Sequence, residues 1–246
     1  MDQPARSSSK AEYNDLEALD RQLLKRICKL PSSAPSAALY LETGAIRISS
    51  IIMARRANYL HYLAKLPQYE MLSKFFRCQW FENKEFDWCH QVKSDLQKLN
   101  LPSELSLIET KSSFQWKSLV RKQIKAYELK ELIAAKNQLS KLSNIEYDKL
   151  STQSYLLEYE AKRAQMVLRY RIRLSKYKGN FRGRGYSELC PLCGTHSDLQ
   201  NLSFQCPVIR KKIEMEYSYE SIFGTIIPEK LVKTIEEIEK LREDCL

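Results

Sequence analysis

From Tyr13 onward, apolar residues recur at spacings of three and four. Leu16, Leu19, Leu23, Ile27 and Leu30 form the first such series, which predicts an amphipathic helix. Pro31 and the stretch PSSAPS break it. A short helix over 37–42 is expected to end at Gly44, because glycine can take the left-handed conformation that caps a helix. Ile48, Ile51, Ile52, Tyr59, Leu63 and Leu66 mark the buried stripe of a second long helix, stopped by Pro67. Further helices are predicted over 71–81, 88–99, 114–139 and 155–175. Within 114–139, Trp116, Leu119, Val120, Tyr127 and Ile133 are expected to face inward, with Lys117, Arg121, Lys122, Lys125 and Lys130 outward. Trp80, Trp88 and Trp116 are assigned to the core by size and apolarity. A short element is expected over 217–223. Behind Pro228, Leu231, Ile235, Ile238 and Leu241 line one side of a closing helix.

These patterns predict a mainly α protein. It has a multi-helix, bundle-like body of about six to eight helices, a small cysteine-rich, zinc-knuckle-like loop module and a C-terminal helix. The expected segmentation is a disordered N-terminus over 1–12, a helical domain over 13–175, a basic arm with the cysteine module over 176–210, and a helical tail over 211–246. A total of six glycines argues against a turn-rich β protein. The longest apolar runs, such as 51–54, are too short to span a bilayer, so no membrane partner is expected.

Charge changes the picture more than composition does. The formal net charge is +10, which favours an anionic partner. Between Glu160 and Glu188 there is no acidic residue, while Lys162, Arg163, Arg169, Arg171, Arg173, Lys176, Lys178, Arg182 and Arg184 all fall there. Tyr170, Tyr177, Phe181 and Tyr186 are interleaved with them, and Gly179, Gly183 and Gly185 loosen the second half. This combination points to nucleic acid. Arg169, Arg171, Arg173 and Lys176 would meet phosphates from a helix end. Lys178, Arg182 and Arg184 would wrap the strand, and Tyr177 and Phe181 would stack on bases. A second acid-free stretch, 43–69, places Arg47, Arg55, Arg56, His61 and Lys65 on the outward face of its helix, with Arg55 and Arg56 as candidate contacts. The bland alternative for both patches is a solvated basic face.

Seven cysteines without a secretory signal indicate a reducing compartment, with thiols or metal ligands in place of disulfides. Cys190 and Cys193 form a Cys-x2-Cys turn that presents two thiolates to one metal ion. Cys206 supplies a third ligand and His196 is the candidate fourth, giving Cys-x2-Cys-x2-His-x9-Cys and a zinc site. A decayed site, or simply buried cysteines, are the alternatives. Cys28, Cys78, Cys89 and Cys245 are isolated and are read as small core fillers.

The stretch 18–63, with LYLETG at 39–44, Arg55–Arg56 and Leu60–His61, resembles the region downstream of the polymerase domain in non-LTR retrotransposon reverse transcriptases. The likeness continues through LCPLCG and the element at 217–223, and covers most of 13–242. It implies that 13–175 is thumb- or linker-like, and that the basic arm and zinc knuckle grip template RNA, target DNA or both. In the resembled family the knuckle runs Cys-x2-Cys-x7-His-x4-Cys, and its histidine falls on Asn201 here. The polymerase carboxylates are also missing, with no adjacent Asp-Asp in the chain. The chain therefore reads as a retrotransposon-derived, nucleic-acid-binding fragment and not as an enzyme, intracellular and nuclear rather than cytoplasmic. A helical protein-interaction protein and a non-functional transposon remnant are the alternatives.

Overall fold

The computed structural model describes residues 6–244, apart from 83, 86, 140, 141, 143, 144, 176 and 178–188. It is mainly helical. The elements are α1 (Arg6–Ile27), α2 (Ser36–Thr43), α3 (Ile48–Ala64), α4 (Met71–Glu82), α5 (Trp88–Lys98), α6 (Leu105–Glu109), α7 (Ser113–Asn137), α8 (Tyr155–Glu158), α9 (Ala161–Arg171), α10 (Gln200–Ser203), α11 (Pro207–Lys212) and α12 (Glu229–Glu243), with a 3-10 turn at Tyr219–Phe223. No strand occurs among the described residues; an isolated antiparallel bridge joins Leu189 and Ser197. Nor is any single described helix long and apolar enough to cross a membrane.

The boundaries follow local chemistry. Gly44 caps α2 at φ +66°, and a Cβ there would lie 2.4 Å from the Thr152 nitrogen. Asp87 caps α5 by accepting from the His90 amide at 2.7 Å. Ser112 and Gln115 exchange bonds ahead of α7, with each side chain accepting from the other's amide. Three expectations need correction. The N-terminal helix starts at Arg6, so 6–12 are helical and not disordered. The helix expected over 155–175 is two helices, because Tyr159 and Glu160 are extended (ψ 152° and 149°) and the Tyr159 hydroxyl donates to the Ile227 carbonyl at 2.6 Å. The apolar series on α1 is exposed, with Leu16, Leu19, Leu23 and Ile27 between 45% and 65% accessible.

The chain forms two compact units, each assembled from separated stretches: Met1–Arg21 with Ala45–Ile133, and Gln22–Gly44 with Ala134–Leu246. They cut across the linear segmentation at 12, 175 and 210, since tertiary contact pairs distant stretches that composition cannot connect. In the first unit α3 packs against α4, α5 and α6. Its core contains Leu60, Phe76, Trp80, Val92, Leu96, Ile108, Trp116 and Val120. Trp116 donates its indole N–H to the Ala57 carbonyl at 3.0 Å, and His61 stacks over it at 5.6 Å. His61 also donates to the Lys111 carbonyl at 3.0 Å and is 5% exposed. It belongs to the core and not to a basic face.

The second unit is built around a buried carboxylate. Glu42, with no accessible surface, accepts from the Tyr147 hydroxyl at 2.5 Å, the Tyr155 hydroxyl at 2.9 Å and Arg171 Nε at 2.8 Å. Arg171 Nη1 donates to the Ile222 and Gly224 carbonyls, at 2.6 and 3.0 Å. The Glu42 carbonyl accepts from the Gln153 amide at 3.0 Å. One side chain thus joins α2, the 147–155 segment, α9 and the loop after the 3-10 turn. A buried pair is tolerated only when its hydrogen-bonding capacity is met in this way.

Two expectations follow. Glu42→Gln and Arg171→Met should each lower unfolding free energy by about 3–5 kcal/mol, because each leaves a buried charge without its partner. The double variant should lose clearly less than the sum. Urea unfolding measures this, and strictly additive losses would show that the two side chains do not act as a pair. The second expectation concerns alkaline pH. Burial first, then the nearby carboxylate or phenol charge, holds Tyr147, Tyr155, Tyr170 and Tyr177 above the ordinary tyrosine range. The folded state keeps protons that the unfolded chain releases near about pH 10. This contribution is complete below that pH and is lost as pH rises further, by up to about 1.4 kcal/mol per pH unit for each group. Tyrosinate absorbance should rise together with loss of helical circular dichroism. Free titration of all four in a folded chain would contradict the burial.

Candidate functional site

The cysteine module is made by short-range geometry. The Cys190 amide donates to the His196 carbonyl at 2.6 Å and the Gly194 amide to the Cys190 carbonyl at 2.9 Å. Gly194 closes the turn at φ +65°, a conformation that favours glycine. Cys206 arrives from the far side as the cap residue of α11, whose first position is Pro207. The Cys190 and Cys206 sulfurs lie 4.0 Å apart, and all three sulfurs of Cys190, Cys193 and Cys206 lie within 4.8 Å of one another. Thiolates bound to one tetrahedral ion at about 2.3 Å would stand about 3.8 Å apart. The trio therefore fits a single soft metal ion with little rearrangement.

Electrostatics divides the three. Against burial, which raises it, the Thr195 hydroxyl, the amides of Thr195 and His196 and the Cys190 thiol pull the Cys193 thiol down to about 6. Thr195 Oγ1 donates to its sulfur at 3.3 Å. Burial pushes the Cys206 thiol up despite the amides of Ile209 and Val208.

His196 is not part of this cluster. Its ring nitrogens do not join the mutual 4.8 Å set, and the side chain is exposed. Its main-chain carbonyl takes part in the turn, accepting from the Cys190 amide. Asn201 sits half-buried on α10. The next carboxylate, Asp198, is already engaged, accepting from both terminal nitrogens of Arg242 at 2.6 and 3.0 Å. Among the described residues the cluster offers three ligands.

The basic interval is partly turned inward. Arg171 is 1% exposed and neutralises Glu42, so it is removed from the set of phosphate contacts. Tyr177 is fully buried. Its hydroxyl lies 2.6 Å from that of Tyr170 and donates to Ser203 at 3.2 Å, and the Arg242 guanidinium covers its ring at 3.9 Å. It cannot stack on a base. Arg163 pairs with Glu236 at 2.9 Å, and Arg169 donates to the Lys29 carbonyl at 2.8 Å while staying half-exposed. Arg173 takes a left-handed φ of 56° and places its guanidinium 5.8 Å from the Tyr219 ring; among the described residues its buried Nε has no hydrogen-bond partner. Lys176, Lys178, Phe181, Arg182 and Arg184 lie outside the described residues.

In the first unit Arg56 is held by Asp95 at 2.9 Å. Arg47 is held by the fully buried Glu128 at 3.0 Å, which also accepts from Ser50. Arg55 stays exposed on α3. Sequence reasoning placed Tyr59 in the core, yet it is 48% exposed and Tyr62, four residues short of Leu66, is 54% exposed. The missed signal was available in the spacing, because Tyr59 and Tyr62 follow Arg55 at four and seven positions and so share its face. A cleft of about 1120 Å³ also opens in this unit beside Arg77, Trp80, Lys93 and Glu109. Its cations are engaged, Arg77 with Glu109 at 2.8 Å and Lys93 with the Trp80 carbonyl at 2.6 Å.

No family of known proteins, no curated protein and no solved structure matches this chain.

Proposed function

We propose that the chain is a nucleic-acid-binding module, of the kind found downstream of the polymerase in non-LTR retrotransposon reverse transcriptases, stapled by zinc and acting without catalysis of its own. The observation that carries this reading is the convergence of Cys190, Cys193 and Cys206 within 4.8 Å directly after an interval with nine cations and no acid. Zinc suits three thiolates, and its binding there would add folding free energy to the module. Zinc on three protein ligands keeps a fourth position for water or another donor. The cationic residues left without internal partners would meet phosphates, so binding should weaken steeply with salt. One observation favours a protein partner instead: the exposed series Leu16, Leu19, Leu23 and Ile27 on α1.

Purified protein is expected to carry about one zinc per chain, and Cys193→Ser to lose most of it, as measured by atomic emission. A zinc-free parent would remove the staple from the proposal. Replacing Lys178, Arg182 and Arg184 together with alanine should weaken binding about equally across sequences. It should also flatten the plot of log affinity against log salt by up to about three units of slope. Replacing Lys230, Lys233 and Lys240 should do little, since Glu216 and Glu229 already pair with Lys230 and Lys233. Equal behaviour of the two triple variants, or capture of a protein that ignores salt, would overturn the reading.

A further inference from the structure

The exposed face of α3 is an ordered series. Arg55, Tyr59, Tyr62 and Lys65 are all exposed, and at about 100° per residue they fall within about 120° of the helix circumference. From Arg55 to Lys65 they span about 15 Å along the axis. The two rings form a platform: their centroids lie 5.9 Å apart with planes inclined by only 21°. Trp88 meets Tyr59 edge-on at 5.7 Å and fixes it from the side. Among the described residues neither Arg55 nor Lys65 has a carboxylate partner, in contrast to Arg56 on the same helix and Arg47 just before it. No acidic residue occurs anywhere in 43–69.

We propose that this face is a binding platform for single-stranded polynucleotide, in which Tyr59 and Tyr62 stack on unpaired bases and Arg55 and Lys65 hold the flanking phosphates. The inference rests on the nucleic-acid reading and narrows it to a strand class and a second surface. Three features select this occupant. Open aromatic faces recognise bases that are free to unstack, which a duplex does not offer. Cations at both ends, with no carboxylate between, match a polyanion better than a protein surface of mixed charge. The two rings already lie near-parallel beside each other and Trp88 braces Tyr59, so little side-chain freedom is lost on binding. The arrangement is independent of the basic arm, since none of its residues lies in the acid-free interval after Glu160.

The test uses the full chain, with fluorescence anisotropy on labelled oligouridine and oligothymidine of about fifteen nucleotides and on a blunt duplex of matched length. The double variant Tyr59→Leu/Tyr62→Leu should lose affinity for both single strands by about tenfold or more per stacked base, with duplex affinity unchanged. Tyr59→Phe/Tyr62→Phe should keep the parent's affinity, because the ring is what stacks. Arg55→Gln/Lys65→Gln should lower the salt slope for single strands by up to about 1.4. The oligouridine and oligothymidine arms separate RNA from DNA as the source of the strand. If the leucine variant binds single strands as well as the parent while the arm variant is weakened, the platform is wrong and the nucleic-acid reading stands. If the parent binds no polynucleotide, both fall. Should the leucine variant lose helicity, photo-cross-linking of a halogenated oligouridine to the parent decides the matter. Adducts on the peptide holding Tyr59 and Tyr62 support the platform, and adducts only elsewhere overturn it.

Discussion

A buried carboxylate is costly unless a cation or a proton meets it, and this constraint decides how four arginines of this protein are used. Glu42 takes Arg171, Glu128 takes Arg47, Asp95 takes Arg56 and Asp198 takes Arg242. In each pair the acid is 8% exposed or less, where solvation by water is lost and geometry has to replace it. Arginine suits the task because its planar fork can serve a carboxylate and several carbonyls at once, as Arg171 does. The same pairs position the smaller parts. Arg242 on α12 holds Asp198, which lies between Cys193 and Cys206, and so anchors the cysteine module to the closing helix while covering Tyr177.

Each internal pair removes one cation and one acid together, so the net charge of +10 is unchanged and what changes is which cations stay exposed. Net charge describes the field at a distance. Contact chemistry depends on which groups keep a free face, and in the first unit these include Arg55 and Lys65 beside two exposed tyrosines. The three thiols follow a related logic in reverse: they are gathered by backbone turns, with the helix α11 and the Gly194 turn bringing sulfurs together before any ion is considered.

Local chemistry was legible in the sequence, whereas partnership was not. Gly44, Pro67 and Pro228 mark real helix ends because the backbone restrictions of glycine and proline act within a residue or two. Trp80 and Trp116 were placed in the core correctly because size and apolarity suffice for that. The Cys-x2-Cys turn and its third cysteine could be seen because their spacing is short. Arg171 could not be told from Arg169, since the carboxylate that claims it lies 129 positions away. From sequence Tyr177 looks like a base-stacking ring, because its covering partners, Ser203 and Arg242, come from later helices. His196 is a candidate ligand because it is the histidine nearest the turn in sequence, and nearness in sequence does not say whether its ring reaches the three sulfurs, which here it does not join. The periodicity of α1 was real as a pattern, but periodicity names a face without saying what covers it.

The Glu42–Arg171 pair also bears on how this sequence can change over time. Neither residue can be altered first without leaving the other stranded in the interior, and Tyr147 and Tyr155 are oriented by the same carboxylate. Drift at these four positions is therefore coupled, and a neutral path between two versions of the network has to pass through compensating pairs of substitutions. Descendants of this chain should keep the whole set or replace it together, so positions 42 and 171 form a joint marker of ancestry where the exposed basic residues, free to vary one at a time, do not.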